Sequence, residues 1–270
     1  MMFGNLFKKR SAPQRRRTVR TSDDTVVWAI GDIHGRLDLL KPLVGDMLAD
    51  LADSQAQRKV IVFLGDYVDR GPDSRGVLEL LCGLAGRHPV EFHFLRGNHE
   101  DRMEAFLQDP SIGPGWCDYG GREALLSYGI TAPTARDDAE GWAAASRALY
   151  EAMGEQQRAF LARQEMFLGI GDYFFAHAGA KPGIPLTHQS SYDLMWVRQV
   201  FLEDPRPFDR LIVHGHTPTE VVHSDHRRIG IDTGAYATGV LSALRLEGEN
   251  RWLLQTAKTG NGIELSFNAL

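Results

Sequence analysis

Carboxylate, imidazole and carboxamide side chains recur in this 270-residue chain at positions from which they could converge on two metal ions. Four short stretches carry them: Gly31-Asp32-Ile33-His34-Gly35, Gly65-Asp66-Tyr67-Val68-Asp69-Arg70-Gly71, Arg96-Gly97-Asn98-His99-Glu100 and Gly215-His216-Thr217-Pro218. Each follows an apolar run, at 25–30, 60–64, 90–95 and 211–213, so each polar stretch falls at a strand exit, where α/β sheets build their sites. A single such stretch would read as a turn in the chain; four in order point to a site. Oxygen and nitrogen donors without thiolates suit divalent manganese, iron, zinc, nickel or cobalt, and donor type does not choose among them.

The ordered set GDIHG, GDYVDRG, RGNHE and GHTP, with Phe175-Ala176-His177-Ala178-Gly179 between the last two, resembles the calcineurin-like metallophosphoesterases. Within them it is similar to the PPP branch of serine/threonine phosphatases, in its compact bacterial and phage form. The resemblance implies a two-sheet sandwich flanked by helices. It also implies Asp32, His34 and Asp66 around a first ion, and Asp66, Asn98, His177 and His216 around a second, with Asp66 bridging and manganese the expected metal. A bridging carboxylate offsets the repulsion of two dications about 4 Å apart. A hydroxide shared by the ions would be the nucleophile, Arg70, Arg198 and Arg96 would bind the phosphate, and His99, hydrogen-bonded to Asp69, would protonate the leaving oxygen. Pro218 stands where many broader family members carry a further histidine, in keeping with the PPP pattern.

On this reading the substrate is phosphoserine or phosphothreonine in proteins, or a small phosphate ester. The same scaffold also serves dinucleoside polyphosphate hydrolysis. Symmetrical hydrolases of that kind typically lack the second aspartate and the His-Gly of the first motif, whereas Asp69 and His34-Gly35 are intact here; an asymmetrical enzyme could retain them. A phosphoprotein-binding protein without activity would need a broken ligand set, and none is broken. His214 lies two residues before His216 and competes with it as a ligand, although Gly-His-Thr-Pro aligns His216 with the family histidine. His88, His93, His188, His223 and His226 lie outside every motif and read as structural or solvated.

Hydrophobic content of 43% over this length is enough for one large core, and no linker divides it. No apolar run approaches the ~20 residues that span a bilayer. Two cysteines, Cys82 and Cys117, cannot make a disulfide framework and fit a reducing, cytoplasmic setting. Residues 1–20 hold seven of the 30 Lys and Arg and none of the 35 acids, so the body is strongly acidic. The basic segment reads as a solvated extension or as a weak contact for an anionic membrane or partner. Its first seven residues are too short for a secretory signal. The acidic body argues against nucleic acid as the main ligand.

Apolar spacing predicts helices over 37–51 and 74–84, a helix opening at Glu100, and a βαβαβ order with a largely parallel sheet. Late strands are expected at 173–176, 211–213, 229–232 and 240–246, forming a second sheet. The expected organisation is a basic tail (1–24), a catalytic domain (25–258) with a helical cap inserted at about 113–164, and a C-terminal tail (259–270). Trp116, Tyr119, Gly120-Gly121 and Tyr128 in the insertion either shape the substrate groove or pack the insertion itself.

Overall fold

Alternation along β1 (Thr25–Ile30) sends Val26, Trp28 and Ile30 into one apolar cluster and Val27 and Ala29 into another, so the strand is buried on both faces. In the computed structural model, which describes residues 18–86 and 89–270, β1 lies inside a six-stranded mixed sheet. On one side it pairs in parallel with β2 (Arg58–Phe63), which pairs with β3 (Glu91–Phe94). On the other side β9 (Val240–Glu247), β10 (Asn250–Thr259) and β11 (Gly262–Ala269) follow antiparallel.

The second sheet has five strands in the order β4 (Phe167–Ile170), β5 (Tyr173–Ala176), β6 (Leu211–His214), β8 (Arg228–Gly230) and β7 (His223–Ser224). Strands β5, β6 and β8 run parallel. Val27, Val60, Val62 and Leu95 from the first sheet meet Tyr173, Phe175, Val213 and Ile229 from the second, and this dry layer joins the two.

Helices cover both outer faces. α1 (Leu37–Asp53), α2 (Ser74–Leu84) and α3 (Asn98–Gln108) pack on the first sheet through residues such as Leu40, Leu81 and Phe106. Later in the chain, α7 (Ser191–Trp196) and α8 (Gln199–Glu203) set Leu194 and Phe201 against Phe174 and Ile212 of the second sheet. The expected two-sheet sandwich flanked by helices is therefore the observed architecture.

Two boundaries and the packing of the insertion differ from expectation. The insertion divides into α4 (Gly113–Trp116), a π-helical turn (Cys117–Gly121), α5 (Arg122–Ser127) and α6 (Ala139–Ala162). Of these, α6 is no cap: Trp142, Leu149, Met153 and Leu161 share one core with Leu81 and Phe106, and the helix contacts α2 and α3. The C-terminal tail is β11, because Gly260-Asn261 closes a hairpin in which Thr259 faces Gly262 and Phe267 lies against Trp252 and Trp28. At the other end Thr21 is buried and its N–H donates to Gly248 O at 3.0 Å, so 18–24 is docked; the expected basic extension over 1–17 lies outside the described residues, as does His88. Among the described residues no helix is long and apolar enough to cross a membrane.

Candidate active site

Parallel strands of both sheets end on the same edge, and the motif residues leave from those ends. Asp32 and His34 follow β1, Asp66 follows β2, Asn98 opens α3 after β3, His177 follows β5 and His216 follows β6. All six side chains are buried. Six non-glycine residues have positive φ in the described chain, and five of them are here: His34, Asp66, Asp69, Arg70 and His216. Such conformations cost roughly 1–3 kcal/mol each and persist where the surroundings over-determine them.

Glu100 supplies much of that determination. Its buried carboxylate accepts from the backbone N–H groups of Asp66 (2.9 Å), Tyr67 (2.7 Å), Val68 (3.2 Å) and Gly97 (3.0 Å), tying the second motif to the third. Burial, with the Asp66 charge adding to it, pushes its carboxyl up to about 7. A side chain at Gly97 would overlap the Asp66 carboxylate, and one at Gly215 the Asp32 carboxylate, so both glycines permit close backbone approach to a ligand.

The donor atoms face one another in a way that calls for cations. His177 Nδ1 donates to Leu64 O at 2.9 Å, and His34 Nδ1 donates to Val68 O at 2.8 Å, so each ring presents the lone pair of Nε2 inward. His177 Nε2 stands 3.0 Å from Asn98 Oδ1, 3.2 Å from His216 Nδ1 and 3.3 Å from Asp66 Oδ1. Lone pairs at these separations repel unless a positive charge sits among them. The other Asp66 oxygen, Oδ2, lies 3.5 Å from His34 Nε2 and 3.8 Å from His99 Nε2, so one carboxylate addresses two clusters, as a bridging ligand must. Burial opposes the charge of Asp66, but the neighbouring His177 and His99 hold it well below the usual carboxylate range.

Asp32 lies outside both tight clusters. Its oxygens accept from His216 N–H at 3.1 and 3.0 Å, and burial, with Asp232 and Asp66 nearby, raises its carboxyl well above the ordinary value. His214 is not a ligand: Nδ1 bonds Gly215 O at 2.9 Å, Nε2 meets Arg228 at 3.3 Å, and burial lowers it to about 3. His93 pairs with Glu165 and His223 with Asp225, both away from the site.

His99 belongs to the cluster with His34 and Asp66 through Nε2, and its Nδ1 donates to Asp69 Oδ2 at 2.7 Å. Burial disfavours a charged imidazole, yet the carboxylates of Asp66 and Asp69 outweigh it and hold His99 above its ordinary value. Arg70 lies 3.3 Å from His34 Nε2 and over the Tyr236 ring at 4.7 Å. Arg198 lines the same cleft. Arg96 does not: it pairs with Glu104 and, at 3.3 Å, with Asp101, because its guanidinium turns along the outside of α3 toward carboxylates one and two turns on.

The cleft holds about 740 Å³ and extends from Asn98 and His99 to residues the motifs did not indicate. Arg102, Arg136, Trp116 and Tyr119 line it together with Trp196. Arg102 was within reach of sequence reasoning, since it follows His99 by three positions on one helix and so shares its face. Trp116 and Tyr119 stood as groove or packing residues, and both line the cleft; Arg136 gave no signal, because only the fold of the insertion carries it to the strand ends. Glu100, Tyr236 and Asp232 likewise had no assigned role; Glu100 stood inside a quoted motif.

A family model described as calcineurin-like phosphoesterase matches residues 25–245. A bis(5'-nucleosyl)-tetraphosphatase PrpE [asymmetrical] of Geobacillus thermodenitrificans is 27% identical over 240 residues, covering 80% of this chain and 88% of that protein. The human serine/threonine-protein phosphatase with EF-hands 1 is 38% identical, but over 85 residues, 32% of this chain and 12% of that one. A crystal structure provisionally named a diadenosine tetraphosphatase superposes with a TM-score of 0.54 at 21% identity, covering 92% of this chain and 96% of that one, which speaks to the fold alone.

Proposed function

The chain belongs to the calcineurin-like phosphoesterase family, and we propose that it hydrolyses the phosphate bridge of dinucleoside polyphosphates, ahead of the phosphoprotein reading favoured by the motifs. One observation carries this order. Arg70, Arg102 and Arg198 line a single cleft, and among the described residues none of the three forms an ion pair with a carboxylate. Three guanidinium groups without a carboxylate ion-pair partner exceed what one terminal phosphate requires and suit a chain of phosphates, which arginine binds bidentately. The acidity of the whole body, which argued against nucleic acid as a ligand, matters less here than the local field in the cleft. The exposed Tyr119 ring offers a surface for a nucleobase at the cleft, while Trp196 carries the Arg102 guanidinium over its face at 5.0 Å. Similarity to the asymmetrical tetraphosphatase over most of both chains supports the same order.

Asp32, His34 and Asp66, with Asn98, His177 and His216, would hold two divalent ions, manganese being the first to try. When bound, these would polarise the phosphoryl oxygens and acidify water. The chain's own groups do the rest. Arg70 and Arg198 hold the oxygens of the attacked phosphate, where charge spreads during transfer. Arg102 grips the next phosphates, Arg136 meets the rim, and His99 gives its Nε2 proton to the leaving oxygen while Asp69 fixes the ring.

The phosphoprotein reading keeps one specific observation in its favour, the 2.7 Å bond from His99 to Asp69, since a serine alkoxide needs a proton donor more than a nucleotide phosphate does. The two separate in one experiment. With one metal and one pH, kcat/KM for diadenosine tetraphosphate should exceed that for phosphoserine and phosphothreonine peptides, with ATP and AMP as products. The opposite order across manganese, nickel and cobalt would return the assignment to the protein phosphatases.

A further inference from the structure

Asp69 accepts two hydrogen bonds on one oxygen. His99 Nδ1 reaches Oδ2 at 2.7 Å, and the indole Nε1 of Trp116 reaches the same atom at 2.9 Å, while Oδ1 is buried and has no partner. Asp69 is fully buried, and these two donors are the hydrogen bonds that its carboxylate accepts among the described residues. An indole N–H can only donate. Trp116 therefore holds Asp69 as an acceptor, turned toward His99.

Trp116 is itself closely held. It is buried, its ring lies 4.9 Å from Phe106, and Gly121 passes so close that a Cβ there would overlap the indole. Gly113, which begins the same helical turn, meets Trp142 of α6 in the same manner. The insertion thus reaches from the helical layer to the proton donor through one side chain.

We propose that Trp116 is a positioning residue for proton delivery: its N–H orients Asp69, and Asp69 orients His99 toward the leaving oxygen. The 113–121 turn then belongs to the machinery of the site as well as to the wall of the cleft. This inference rests on His99 as the proton donor and holds for either substrate class.

Trp116→Phe keeps the ring and removes the donor. In protein loaded with diamagnetic zinc and labelled with ¹⁵N, the hydrogen-bonded His99 Nδ1–H resonance should shift. In turnover, kcat for phenyl phosphate should fall about 10-fold, and kcat for 4-nitrophenyl phosphate clearly less, with KM little changed, because nitrophenolate leaves without much protonation. Gly121→Ala supplies a second route: φ at Gly121 is −64°, which alanine adopts, so the change acts by displacing the indole. It should give the same pattern, more weakly, and it carries the test if Trp116→Phe fails to fold. An unmoved His99 resonance, or equal loss on the two esters, overturns the proposal. The resonance needs no substrate, so a wrong substrate assignment leaves this inference standing, and its failure leaves that assignment untouched.

Discussion

The metal-ligand end of the cleft and its outer wall meet at His99 but are built on different terms. Six buried candidate ligands come from the exits of five strands, and each lies within seven residues of the strand that positions it. Their geometry is local, held by left-handed turns and by Glu100. The wall comes from α3, the 113–136 segment and α7, whose relative placement depends on a core that includes Phe106, Trp116 and Trp142. Chemistry common to a family can be written in short motifs at strand ends, whereas substrate choice rests on longer-range packing. The two regions should therefore fail differently when altered.

The largest effect is expected at the bridge. Asp66→Asn removes the one carboxylate shared by both clusters, so turnover should fall by roughly 10³-fold or more and bound metal, measured by elemental analysis, should drop from two ions per chain. A chelator should abolish activity and added manganese should restore it in the parent but not in Asp66→Asn. Full activity with neither metal would remove the distinction between the two regions altogether.

His99→Asn lies where they meet. Losing the proton donor should lower kcat by roughly 10²–10⁴-fold on esters with basic leaving groups and less on nitrophenyl phosphate. Metal content should stay near that of the parent. If the metals leave with the imidazole, His99 belongs to the ligand end, in line with the 3.8 Å between its Nε2 and Asp66.

Arg102→Ala probes the wall alone. Loss of a charge-assisted contact should raise KM for diadenosine tetraphosphate by about 10-fold, with a smaller change in kcat and a partial return in Arg102→Lys. A matching loss on nitrophenyl phosphate would place Arg102 at the attacked phosphate instead. The smallest effect is expected for Arg96→Ala, which removes partly exposed ion pairs with Asp101 and Glu104 and should cost about 1 kcal/mol in denaturant unfolding while sparing turnover.

The same division explains what could be read in the sequence. β1 and α2 fall where the apolar spacing placed them, and the ligand set converges because strand exits in a parallel sheet share one edge. Arg96 misled because the motif gives its neighbours in sequence but not the two acids that α3 brings beneath it. The insertion read as a cap because α6 is amphipathic, and periodicity reveals an apolar face without its partner. β11 escaped because its alternation is mostly exposed; only Gly260-Asn261 signalled that the chain turns back. Trp116 could be narrowed to groove or packing, and it serves both, donating to Asp69 from within the core.

Glu100 gathers four backbone amides on one carboxylate, in loops that lack a ladder of their own. In hydrogen–deuterium exchange those loops should behave like sheet: the amides of Asp66, Tyr67, Val68 and Gly97 should be slow, and slow together, because one opening event frees all four. Glu100→Gln should convert them jointly to fast exchange while the amides inside β1 and β2 remain slow. The second and third motifs would then open and close as one cooperative unit set by a residue outside both candidate metal clusters and the cleft lining.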